Sequence, residues 1–139
     1  MEQHIVIRPS VAEQFSDAMA RGRVIFFSAP CGFGKTVTAQ SLLTGRRVRA
    51  VDASESGFAV PQPDGSWDVL LIDQAQSLLG ESDQQALCSL IREQSQLRFV
   101  LLSRGVVPGW LAPFQFSGLM TVLDAKSLLL DRETAARLF

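Results

Sequence analysis

Residues Val24–Leu43 read VIFFSAPCGFGKTVTAQSLL. An apolar, strand-like segment runs into Ala29-Pro30-Cys31-Gly32-Phe33-Gly34-Lys35-Thr36, and a helix-like segment follows. A loop whose backbone N–H groups converge ahead of a helix N-terminus grips phosphate, because the amides and the helix's partial positive charge aim at one point. Gly32 and Gly34 let the backbone curl, Lys35 supplies charge for β- and γ-phosphate oxygens, and the Thr36 hydroxyl joins the shell of a magnesium ion. The strict pattern has glycine where this chain has Ala29. One methyl at the exit of a strand is a mild change, whereas Gly34, directly before the lysine, stands where a side chain would collide with phosphate.

Working outward, the chain has 139 residues, 47% of them hydrophobic and 19% charged, with a net charge of −1. That describes one compact domain able to bury a core. Near-neutrality argues against a surface that holds nucleic acid by charge alone, which needs an excess of Lys and Arg on one face. The densest positive cluster, Arg46, Arg47 and Arg49, follows a helix ending near Gly45, where cations complement the helix terminus. Two cysteines, Cys31 and Cys88, form no disulfide framework and point to a reducing compartment. The longest apolar runs fall far short of the ~20 residues that cross a bilayer, so no membrane partner is expected and the location reads as cytoplasmic.

Ser10-Val11-Ala12-Glu13 reads as a capping box opening a helix that closes near Gly22. Strands are expected at Val24–Ser28, Val48–Asp52, Trp67–Asp73, Phe99–Ser103 and Met120–Leu123. Helices are expected from Thr36 to Leu43, after a cap made by Ser82 with Gln85, and from Asp131 to Phe139, with a polar loop over Ala53–Ser66. Continuous apolar strands alternating with helices imply crossover units and a three-layer α/β/α parallel sheet of the P-loop NTPase type, in a single domain. His4, near the terminus, has no catalytic assignment, and Trp67 and Trp110 read as packing residues.

In an open parallel sheet, ligands sit beyond the carboxyl ends of the strands. Asp73, closing Val69-Leu70-Leu71-Ile72, and Arg104, following Leu101-Leu102-Ser103, should therefore share an edge with the phosphate loop. A strand-end carboxylate there orients metal-bound water, although a helix-capping Asp would look the same. Arg104 reads either as a γ-phosphate contact or as a surface arginine. For Asp52, at the same position after the second strand, a loop cap suffices.

The segments Ser28–Thr36, Leu71-Ile72-Asp73, Leu101-Leu102-Ser103-Arg104 and Leu128–Phe139 resemble the nucleotide-binding domain of STAND signal-transducing ATPases, in particular the MalT-like, large LuxR-type transcriptional regulators. The likeness runs from Ile7-Arg8-Pro9 to Leu138-Phe139, and Ala29-Pro30 is common in that branch. It implies a switch that rests with ADP, takes up ATP when an inducer binds, self-associates, and activates transcription through a C-terminal helix-turn-helix absent from this chain. It divides the chain into an N-terminal segment and helix (1–23), a sheet core (24–124) and the start of a helical lid (125–139), as an N-terminal fragment of a longer regulator would show. It implies nucleotide contacts from Ala29, Pro30, Cys31, Gly32, Phe33, Gly34, Lys35, Thr36 and Val37, with Val6-Ile7-Arg8 against adenine. Thr36 and Asp73 would serve Mg2+, Asp73 would be the metal-side acid, and Arg104 the sensor arginine.

Two features depart from the family. A second acid often follows the metal-side Asp, and here that position is Gln74, which orients water without accepting its proton. Hydrolysis is therefore expected to be slow or absent, at most that of a slow ATPase. The stretch between the second strand and the Asp73 strand is also short, as if a helix or a strand pair were missing. Three readings follow: an ATP/ADP-binding switch domain, a small phosphotransferase or ATPase unrelated to transcription, and a degenerate P-loop interaction module. Under the first, Lys35→Ala abolishes nucleotide binding and leaves the melting temperature unchanged, because it removes a charge-assisted contact and no core packing; calorimetric titration paired with thermal unfolding measures both.

Overall fold

The computed structural model describes Asp17, Met19, Ala20, residues 22–28, Leu43 and residues 45–124. Five strands form one sheet: β1 Val24–Ser28, β2 Val48–Asp52, β3 Val69–Asp73, β4 Arg98–Ser103 and β5 Met120–Asp124. All pairings are parallel, in the order β2-β3-β4-β1-β5. Among the described residues, helix α1 spans Glu81–Glu93 and the short helix α2 spans Ala112–Phe116. The expected helices over residues 10–22 and 36–43 and the tail from 125 fall largely or wholly outside the described residues; Asp17, Met19 and Ala20 are helical.

Side chains alternate between the faces of a strand, so a strand buried on both faces must be apolar throughout. In β1, Val24 and Phe26 join one core cluster while Ile25 and Phe27 join the other. β3 divides likewise, Leu70 and Ile72 against Val69 and Leu71, and so does β4, Phe99 and Leu101 against Val100 and Leu102. The first cluster is covered by α1 through Leu87, Leu90 and Ile91, and the second by Met19 and Leu43. The result is a three-layer α/β/α arrangement in one domain. Full burial of each such side chain contributes about 1.5–3 kcal/mol, which is why β1, β3 and β4 hold the centre. β2, with Arg49 and Ala50 exposed, lies at an edge.

Helix α1 begins differently from the expected Ser82–Gln85 capping box. Its N-cap is Gly80 and no side chain caps it. Ser82 is already inside the first turn, Gln85 Nε2 donates to Glu81 Oε1 at 3.1 Å, and Gln84 Nε2 donates to the Leu78 carbonyl at 2.8 Å. Glu81 and Asp83 in the first turn complement the helix dipole in place of the cap. At the other end, Arg23 Nη1 donates to the carbonyls of Ile91 (2.6 Å) and Arg92 (3.1 Å), a cation on the helix C-terminus. Arg98 Nε donates to the Met19 carbonyl at 2.7 Å, joining the opposite layer to the start of β4.

The short connection between β2 and β3 leaves out a helix. β2 pairs directly with β3, and the irregular chain between them buries Ala53, Val60 and Trp67 in the cluster beneath α1. Trp67 is a packing residue, as expected, and its indole N–H is buried without a hydrogen-bond partner among the described residues. Gly57 and Gly65 take positive φ, +78° and +85°, where this chain turns. Arg47, expected to cap a helix, instead makes a two-pronged contact with Asp68, Nε to Oδ2 at 2.9 Å and Nη2 to Oδ1 at 2.7 Å. Its Nη1 also donates to the Gly65 carbonyl at 2.9 Å, closing the loop onto the start of β3.

Hydrogen bonds hold the carboxyls of this region below the usual range: from Arg47 for Asp68, and from the Ser66 and Ser54 hydroxyls and amides for Asp64 and Asp52. A carboxyl depressed in the folded state contributes stability that is complete above the unfolded value near ~3.9 and is lost as pH falls through the folded value. These groups are exposed, so the contribution is small and salt-screened.

Two outcomes are expected from thermal or denaturant unfolding. The melting temperature stays level from neutral pH to about pH 5 and falls below about pH 4, and Asp68→Asn, already lacking the contact, loses less on acidification. Leu101→Ala, at a site with no exposed surface, costs about 2–5 kcal/mol, whereas Leu79→Ser, at 82% exposure, changes stability by about 0.5 kcal/mol or less.

Candidate functional site at the carboxyl edge of the sheet

Because β1, β3 and β4 are apolar along their length, their polar residues gather where the strands end. Parallel register sets Ser28 of β1 opposite Ser103 of β4 and Asp124 of β5, and Asp73 of β3 opposite Asp52 of β2. Arg104 follows directly after β4. Asp73 and Arg104 therefore stand at the same edge as the end of β1, from which Ala29 continues. The expected contacts Ala29 to Val37, and Ile7 and Arg8, lie outside the described residues.

Asp73 does not come from the strand beside β1, since β4 lies between them. Two strand spacings amount to about 10 Å. The turn after β4, which carries Arg104, lies between the two strand ends. Asp73 is half-buried, and its carboxylate is a hard oxygen donor of the kind magnesium takes one or two of while keeping most of its waters. No group of three or more His, Cys, Asp or Glu able to cage a metal occurs among the described residues. Of the two residues expected to serve the ion, Thr36 and Asp73, only the second is described.

The residue after Asp73 is in an unusual conformation. Gln74 has φ 55° and ψ 44°, and it is the one non-glycine residue with positive φ among those described. An L-residue with a Cβ pays about 1–2 kcal/mol there. Hydrogen bonds hold it. Its backbone N–H donates to Asp73 Oδ1 at 2.8 Å, and its side-chain Oε1 accepts from Gln76 Nε2 at 2.6 Å. Gln76 Oε1 accepts in turn from the Arg104 backbone N–H at 3.2 Å. On the other side of Arg104, the Gly105 N–H donates to Ser103 Oγ at 3.0 Å, and the Ser28 hydroxyl donates to the Gly105 carbonyl at 2.6 Å. A line of hydrogen bonds thus crosses the edge from β3 through the turn after β4 to the last residue of β1.

The Arg104 side chain is exposed and pairs with no acid among the described residues. It is therefore available to an anion. Asp52 differs in this respect: its Oδ1 accepts from the Ser54 N–H (2.8 Å) and hydroxyl (2.6 Å), the loop cap expected of it. Cys88, in α1, is buried, and burial pushes its thiol up, away from the reactive thiolate.

Two hollows flank the edge. One of about 520 Å3 lies at the ends of β2 and β3 and is lined by Asp52, Glu55, Phe58 and Asp73 among others. The other, about 240 Å3 and mostly apolar, lies between the turn carrying Gln76 and Leu78 and the segment Val106–Leu111. Strand-end spacing alone pointed to Asp73 and Arg104. It missed Gln76 and Ser28, because no sequence interval reveals that a glutamine three residues past one strand faces the backbone just past another.

No family model and no curated protein matches the chain. Among solved structures the chain is similar to the solution structure of protein NMB1076 from Neisseria meningitidis, at 16% identity and a TM-score of 0.46, over 87% of this chain and 87% of that one. A likeness of that depth carries no functional argument. No helix among the described residues is long and apolar enough to cross a membrane.

Proposed function

We propose that this domain is a nucleotide-binding switch: an ATP/ADP-binding, magnesium-dependent module of the STAND class, similar to the MalT-like, LuxR-type transcriptional regulators, with slow or absent hydrolysis. The observation that supports it is the convergence of Asp73 and Arg104, whose guanidinium pairs with no acid among the described residues, on the edge where β1 ends and the phosphate-loop sequence starts. Lys35 and the loop amides take the phosphates, Thr36 and Asp73 take the metal, and Arg104 distinguishes a nucleotide that carries a γ-phosphate from one that does not.

Low turnover follows from Gln74. An amide has no basic site for the proton of attacking water, and its Oε1 is already engaged by Gln76. Binding energy goes instead into biasing two arrangements of the domain and its neighbours. In this reading the protein is cytoplasmic, inducer binding and self-association belong to the whole regulator, and DNA is met through its helix-turn-helix.

Isothermal titration with ADP, ATP and GTP, with and without magnesium, tests this. The expected result is binding of both adenine nucleotides in preference to GTP, with little phosphate release. Asp73→Ala is expected to remove most of the magnesium dependence; an equal loss of affinity with and without metal counts against its role. Turnover that depends on an added acceptor would favour a phosphotransferase, and absence of heat with every nucleotide would leave only an interaction module.

A further inference from the structure

We infer that Gln76 is a positioning residue that locks the arginine-bearing turn after β4 to the acid-bearing end of β3 and fixes the polarity of Gln74. The inference rests on the nucleotide-switch reading and adds to it how the γ-phosphate is registered.

The orientation of the two amides follows from one backbone group. The Arg104 N–H is a donor and cannot be reversed, so the atom of Gln76 facing it at 3.2 Å must be the oxygen. Gln76 Nε2 then points the other way, and the atom of Gln74 meeting it at 2.6 Å must also be an acceptor, Oε1. Gln74 is left with its –NH2 end to offer. A carbonyl at that end would repel an anionic phosphate oxygen, whereas an amide donor binds it. Gln74, which in the first reading orients water, is thereby set up to hold the γ-phosphate in place.

The same chain has mechanical consequences. Gln74 sits in a left-handed conformation that persists only while its surroundings hold it, and the bonds to Asp73, Gln76 and the Ser77 N–H hold it. Arg104 and Gly105 are gripped from both sides, by Gln76 through the Arg104 N–H and by Ser28 through the Gly105 carbonyl. Ser28 is the last residue of β1, so this bond ties the end of β1 to the turn that carries the arginine. Removing Gln76 cuts this line at its middle without touching the loop, the metal-side acid or the core.

The test compares ATP and ADP affinities with magnesium, and hydrogen exchange at the Arg104 amide, for the whole chain, Gln76→Ala and Gln76→Glu. The alanine variant is expected to bind ADP within about twofold of the parent, to bind ATP about tenfold more weakly, and to lose protection at the Arg104 amide. The glutamate variant still accepts from that N–H and keeps its protection. It no longer donates to Gln74, whose amide turns round and presents oxygen to the phosphate, so ATP again weakens about tenfold relative to ADP. A merely structural role would lower both affinities together. An ATP-to-ADP ratio within twofold of the parent in either folded variant overturns the inference while leaving nucleotide binding intact, as does unchanged Arg104 exchange in the alanine variant. A parent chain that binds neither nucleotide overturns the switch reading and this inference together. If Gln76→Ala fails to fold, Gln76→Glu supplies the ratio.

Discussion

The constraint on which this molecule depends is the burial of β1, β3 and β4 on both faces. Parallel strands satisfy their backbone groups by pairing with one another, and helices or packed loops must then cover both sides of the sheet. Phe26, Phe27, Leu70, Leu71, Leu101 and Leu102 are all buried and leave no room along these strands for a polar side chain. Polar chemistry is displaced to the strand ends. Asp73, Ser103 with Arg104, and Ser28 collect on one edge for the same reason that the strands are apolar.

What that edge does depends on strand order. With β4 between β1 and β3, the carboxylate of Asp73 stands one strand further from the end of β1 than a direct neighbour would, and the Arg104 turn occupies the space between them. On the proposed reading, the metal lies on one side of that turn and the γ-phosphate contact on the other. Hydrogen bonds through Gln74, Gln76, Gly105 and Ser28 make the three strand ends one connected unit. On the proposed reading, a site so connected, with Gln74 in place of an acid, registers a nucleotide rather than consuming it.

Much of the fold was legible because hydrophobic continuity is a local signal. Val24–Ser28 and Val48–Asp52 were read with their observed bounds, and the Asp73, Phe99 and Met120 strands differ only at their ends. The start of α1 was not legible. Ser82 followed by Gln85 fits a capping box, yet Gly80 opens the helix, because the 3-10 turn at Ala75–Ser77 and the Gln84 bond to the Leu78 carbonyl set where the chain enters it. Arg47 was likewise misread from its neighbours in sequence; its partner Asp68 lies across the β2–β3 connection. The apparent gap between β2 and β3 is filled by an irregular segment that buries Trp67 and Val60 where a helix would otherwise pack.

By itself the sequence determined the parallel α/β class, the strand positions and the residue types at the strand ends, since these depend on hydrophobic runs and glycine placement within a few residues of each other. The tertiary structure alone decided which ends lie side by side, that β4 separates Asp73 from β1, and that Gln76 bridges Gln74 to Arg104. Those are contacts between distant parts of the chain, chosen by how the strands order themselves to bury both faces of the sheet, and no local pattern encodes that order.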